Sequence, residues 1–90
     1  MKLDKEFSSV LKGGERKGSW IYAVMPDSVT FFETKGYVKA RGTIDGHPFE
    51  SSFMSMGDGT HMMPVKAEIR TAIGKERGDT VIIKLTEGLK

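Results

Sequence analysis

The sequence predicts a mainly β fold, a small barrel of about six strands carrying two short helices. Three observations predict it. Eleven glycines cut 90 residues into short segments, which suits paired strands better than a helical bundle. Apolar and polar residues alternate through Val38-Lys39-Ala40-Arg41-Gly42-Thr43-Ile44, the period of a half-buried strand. Asp45-Gly46 follows directly, and this dipeptide suits a type I′ turn between paired strands. The length fits one domain, residues 1–90, with one core.

Taken in order, residues 7–11 are apolar enough for a first strand, and Lys12-Gly13-Gly14-Glu15-Arg16-Lys17-Gly18 reads as a flexible hairpin loop. Residues 20–25 are all apolar or aromatic, which predicts a strand covered on both faces, with Trp20 and Tyr22 in the core. Pro26-Asp27-Ser28 opens a helical turn through Phe31-Phe32-Glu33, with Asp27 or Ser28 as its cap and Gly36 as its left-handed stop. After the strand over 38–44 and its turn, Pro48 cannot donate to a ladder, so the returning strand begins at an edge or after a bulge. Phe49, Phe53 and Met54-Ser55-Met56 continue it; Gly57-Asp58-Gly59 turns, and residues 60–63 form a brief strand. Pro64 then starts a second helix that Gly74 stops, with Val65, Ile69, Ala72 and Ile73 as one apolar stripe. Gly78-Asp79 launches a last strand over 80–85.

The two halves rhyme. Each runs strand, proline, short helix, glycine, strand, from Tyr22 to Gly46 and from Thr60 to Gly88. Pro26 precedes Gly36 by the same interval as Pro64 precedes Gly74, and the intervals Gly36 to Gly46 and Gly78 to Gly88 also match. This predicts an internal pseudo-twofold repeat whose units share one core.

Composition narrows the function classes. Fourteen Lys and Arg against 12 Asp and Glu leave a net charge of +2. The signs are interspersed, the pattern of a solvated surface rather than of a basic nucleic-acid stripe. With no cysteine, thiol catalysis, thiolate metal sites and disulfides are excluded. The charged start Met1-Lys2-Leu3-Asp4-Lys5-Glu6 is unlike a signal peptide, and no apolar run reaches the roughly 18 residues of a membrane helix. A cytoplasmic monomer with no membrane contact is the expectation.

Three motifs carry a family resemblance: Arg41-Gly42-Thr43-Ile44-Asp45-Gly46-His47-Pro48-Phe49, Gly57-Asp58-Gly59-Thr60-His61-Met62-Met63-Pro64-Val65-Lys66, and Ile73-Gly74-Lys75-Glu76-Arg77-Gly78-Asp79-Thr80-Val81. Together they resemble a bacterial and archaeal domain of unknown function often found before a YdeI/OmpD-associated, bacteriocin-protection-like segment. The resemblance implies a double-split β-barrel and no assigned chemistry. The chain ends at Lys90 without a YdeI-like segment, so any role carried by that segment is not expected here. Gly59 through Val81 is also distantly similar to the AbrB/MazE swapped-hairpin DNA-binding domains: Pro64, Ile69, Arg70, Gly74, Gly78 and Asp79 fit. Thr60 stands where that signature has arginine, and Tyr22 holds the equivalent place in the first half. An internal repeat would let one chain supply both halves of such a barrel.

The candidate ligand-binding residues are Arg41, His47, His61 and Lys66. A shared pocket would make them a polar or anion-binding patch, aided by the amides at the start of the second helix. The plainer reading leaves His47 on a hairpin flank and has His61 satisfy a backbone carbonyl. Met54, Met56, Met62 and Met63 near His61 have the softness for copper(I), but alternating methionines on strands are the usual filler of irregular cores, and no metal or cofactor is expected. Ser55, Asp58 and His61 sit in one turn with nothing to fix a catalytic geometry, and Gly57-x-Gly59 lacks the third glycine of a dinucleotide loop. The sequence therefore reads as a non-catalytic binding or accessory module for a small anion or a protein partner. The contact surface is expected on the rim formed by Asp45-Gly46-His47, residues 57–61 and the start of the second helix. The alternative is a nucleic-acid-binding regulator in which Trp20, Tyr22 and Tyr37 stack bases among Lys39, Arg41 and Lys84.

Overall fold

The computed structural model describes residues 2–13, 20–26, 28–33 and 36–89. They form a curled, open seven-stranded sheet, a half-barrel. In chain order the elements are β1 (Lys2–Val10), β2 (Lys12–Gly13), β3 (Ile21–Met25), a helical turn α1 (Ser28–Phe32), β4 (Val38–Ile44), β5 (His47–Ser55), β6 (His61–Pro64), the two-turn helix α2 (Ala67–Ile73) and β7 (Thr80–Leu89). Across the sheet the order is β1-β7-β4-β5-β6-β3-β2, and every neighbouring pair is antiparallel. The two edge strands are consecutive in the chain, separated by Leu11 alone. Leu11 is buried, and its backbone bonds Asp79 and Gly78 on the approach to β7. The amide of Val24 in β3 donates to Ser9 Oγ in β1 at 3.0 Å. The curl therefore brings both edges of the sheet to one corner.

The core follows from alternation. Val81, Ile83 and Leu85 point inward from β7, Ala40 and Ile44 from β4, Phe49 and Phe53 from β5, and Met63 from β6. Ile69 and Ile73 of α2 pack against them. The hairpin between β4 and β5 is the one that Asp-Gly predicts: Asp45 and Gly46 have φ of 48° and 83°, the signature of a type I′ turn. The turn also docks sideways, since Asp45 N–H donates to Ile82 C=O and Ile82 N–H to Asp45 Oδ1, each at 2.8 Å. Between β5 and β6, Asp58 accepts from the amide and the hydroxyl of Thr60. Those bonds hold its carboxyl below the ordinary 3.8.

Several expectations need correction. The first strand starts at Lys2, because Lys2, Asp4 and Glu6 face solvent while Leu3 packs on the core; charges on an edge strand discourage further pairing. The segment after it contributes the extra strand β2, which pairs Lys12 with Tyr22 and Gly13 with Ile21. The rest of the expected loop, residues 14–18, and the proposed cap Asp27 lie outside the described residues. Of the two helices expected, one is a helix of two turns and the other a single turn. A left-handed residue already follows α1 at Glu33, with φ 59°. Gly74 does close α2 in the left-handed conformation (φ 69°), as a helix-terminating glycine does. Pro64, however, ends β6 and does not start the helix; the first helical residue is Ala67. The stripe is correspondingly shorter, with Ala72 exposed.

The strand pairing relates the two halves of the chain. β3 lies against β6 with Val24 opposite Met62, and β4 lies against β7 with Gly42 and Thr43 opposite Leu85 and Lys84. β3 and β4 thus each pair with a strand of the second half.

Candidate functional site

A gap lies between β5 and β6, and the backbone pattern explains it. In an antiparallel ladder, residues that exchange hydrogen bonds alternate with residues that do not. Met56 N–H donates to Thr60 C=O at 3.0 Å, so even-numbered β5 residues direct their backbone groups toward β6. At the other end a two-residue turn makes Ile44 and His47 the closing pair, so odd-numbered β5 residues bond β4. The two ends agree. Met54 opposite Met62 is the last pair recorded between β5 and β6. Continued by two residues, the register would set Ser52 against Pro64, which has no N–H to give. Val65 N–H donates instead to Ile21 C=O at 2.8 Å, and the chain turns away into α2.

The result is a trough along β5. One cleft of about 670 Å³ is lined by Trp20, Ile21, Lys39, Met54, Val65 and Arg70 beside the Glu50–Ser52 segment, a volume within the about 300–1,000 Å³ usual for ligand sites. A second, of about 460 Å³, includes His47, Phe49, Met63, Glu68 and Ile69. Glu50, Ser51, Pro64 and Lys66 border both, so both open onto the same gap. Arg70 braces the far wall. Its side chain is only 17% exposed, and it donates to Val65 C=O at 2.6 Å and to Glu76 at 3.0 Å. These bonds fix the corner at which β6 becomes α2.

The expected site residues are not all brought together. His47 and Lys66 share the smaller cleft, with Lys66 exposed at the N-cap of α2. Arg41 lies outside both clefts on the outer sheet face, within 3.7 Å of Glu50 and 3.5 Å of Glu87. His61 is fully buried. Its Nε2 sits 2.9 Å from Gly36 C=O and its Nδ1 2.7 Å from Ser28 Oγ. A carbonyl only accepts, so Nε2 carries a proton toward Gly36, and Nδ1 shares the second hydrogen bond with the Ser28 hydroxyl. Phe32 covers the ring edge-on at 5.4 Å. Both nitrogens are occupied, and Ser28 is as buried as its partner, so the pair ties α1 to β6 and offers no surface to a ligand. The shared patch of four therefore reduces to His47 and Lys66. The rim expected from the turns divides likewise: Asp45 is engaged by β7 and by Lys75 at 3.2 Å, and His61 faces inward.

Sequence reasoning named Trp20 only as a core residue or a base-stacking face and Met54 only as core filler or a copper(I) donor, and it placed Arg70 in no site. Trp20 is 60% exposed on the lip of the trough, not in the core, and Tyr22 is half-buried. An all-apolar run signals a buried strand, but Trp20 precedes β3 and lines the larger cleft. Of the methionines near His61, Met63 is buried and Met56 exposed.

A family model for a domain of unknown function, DUF1905, matches residues 7–85. The chain belongs to this family. No curated protein matches it. The DUF1905 match contains every residue that borders the trough, from Trp20 to Arg70.

Proposed function

We propose that this DUF1905 chain is a non-catalytic binding module whose ligand lies in the trough between β5 and the β6–α2 corner. The observation that carries this reading is the placement of the chain's single tryptophan: Trp20 stands exposed on the lip, beside Met54 and Val65 and among Lys39, Lys66 and Arg70. An apolar wall with a few convergent polar groups is how ligand clefts are built. The pairing of β3 with β6 and of β4 with β7 supports reading the half-barrel as the double-split type, its units related by a pseudo-twofold within a cytoplasmic monomer; light scattering reads the oligomeric state.

Trp20 is its own reporter. Its emission should shift saturably as inorganic phosphate, short peptides or oligonucleotides are titrated in, for whichever class binds, and Lys66→Glu should alter the response. Emission unmoved by every class at millimolar concentration would overturn the reading.

The regulator alternative, related to AbrB/MazE-type domains, has one observation in its favour. Trp20 and Tyr37 are both exposed (60% and 76%), as stacking platforms for single strands must be. Against it, the carboxylate of Glu50 lies between Lys39 and Arg41, at 3.8 and 3.7 Å. Binding that weakens steeply with salt would favour the regulator.

A further inference from the structure

We propose that the trough is a strand-addition site, taking an extended peptide that pairs with the open side of β5 and carries an apolar residue next to an acidic one on the same face. The inference deepens the binding-module reading and rests on it.

The hydrogen-bond pattern of β5 selects the occupant. Ser52 and Glu50 direct N–H and C=O into the gap, past Met54–Met62, the last β5–β6 pair among the described residues. Pro48, next on that side, offers a carbonyl only. Donor and acceptor recur every second residue, about 6.8 Å apart along a strand. Another extended backbone matches that repeat directly, which is the basis of peptide capture by sheet edges. Three features keep the gap open: Pro64 lacks the N–H that would close on Ser52, Val65 is committed to Ile21, and Arg70 holds Val65 C=O.

The side-chain requirements follow from the walls. At the Ser52 end Trp20, Met54 and Val65 offer an apolar surface. Lys66 stands opposite the Glu50 end and enters no ion pair among the described residues, whereas Lys39 and Arg41 are engaged by Glu50 and Arg70 by Glu76. An apolar side chain at one position and a carboxylate two residues along, on the same face of the added strand, meet both.

The test uses the full chain and a displayed library of random heptapeptides. The best binder is synthesised as it stands and with N-methyl groups on alternate amides. The expected result is enrichment of an apolar-x-acidic pattern. N-methylation of one alternating set should weaken binding on the order of tenfold or more while the other set is tolerated. The amides of Glu50 and Ser52 should shift and gain protection from exchange, and Lys66→Glu should reverse the preference for acidic residues. Equal tolerance of both methylated sets, or binding that leaves the Glu50 and Ser52 amides unmoved, overturns strand addition. If no peptide is enriched while phosphate or an oligonucleotide still shifts Trp20 emission, strand addition fails and the binding-module reading survives. If nothing moves Trp20, both fail.

Discussion

Ser28 Oγ and His61 Nδ1 lie 2.7 Å apart inside the protein, both side chains wholly removed from solvent. This bond fastens α1 to the first residue of β6, and with Nε2 on Gly36 it spans both ends of the connection between β3 and β4. Ser28→Ala leaves Nδ1 without a partner and should cost about 1–3 kcal/mol, the range for stranding a buried polar group. His61→Phe strands the hydroxyl in turn. The double variant leaves neither group stranded, so urea denaturation should show it less destabilised than the sum of the singles. Strict additivity would mean that the bond contributes nothing.

Gly42 is required by distance rather than by conformation. A Cβ there would sit 1.9 Å from the Lys84 carbonyl oxygen, because β4 and β7 close in where the ladder slips past Thr86. The neighbour is backbone and cannot swing aside. Gly42→Ala should cost at least the about 1–3 kcal/mol of overpacking. Gly46→Ala meets open space but a φ of 83°, a left-handed conformation that costs about 1–2 kcal/mol. Urea midpoints should therefore fall further for Gly42→Ala; the reverse order would show that the sheet widens freely.

Asp58 gives a pH signature with a fixed sign. Thr60 hydroxyl and amide lower its carboxyl below 3.8 in the folded chain, so folding favours the ionised form. The contribution is complete above 3.8 and is lost as pH falls through the lower, folded value. Asp58→Asn should flatten this acid limb of the stability curve while leaving neutral pH little changed, since the turn is exposed. A side-chain carboxyl titration by NMR checks the direction; a midpoint at or above 3.8 contradicts it.

These cases show what was legible in the sequence. Asp45-Gly46, Gly57-Asp58-Gly59, Gly74 and Gly78 were read correctly as turns and a helix stop, because a positive φ is a local demand that glycine meets. The alternation of β4 was likewise a local signal, and the resemblance to a domain of unknown function matched the family. What depended on the strand lying opposite was not legible. Pro64 looks the same at a helix start and at a strand end, and Trp20 looks the same in a core and on a lip. His61 was placed in a candidate patch, with a backbone carbonyl as its partner in the plainer reading; that carbonyl is Gly36's, and only the packing of α1 over β6 makes the ring internal. The trough itself is a missing pairing, which no motif announces.

Pro64→Ala tests whether that missing pairing is set by one atom. Alanine supplies an N–H facing β5, opposite the carbonyl of Ser52, and would let the β5–β6 ladder grow by one pair. The new bond would contribute about 0.5–1.5 kcal/mol. Losing proline's restriction of the unfolded chain would cost about 0.4–1 kcal/mol. The two nearly cancel, so the denaturation midpoint should barely move. Function should move instead. The amide at position 64 should resist hydrogen exchange, the gap should narrow, and Trp20 emission should lose much of its response to a bound peptide. Stability is thus the insensitive readout and binding the sensitive one. An unprotected amide with undiminished binding would show that Arg70 and Val65 hold the gap open without the proline.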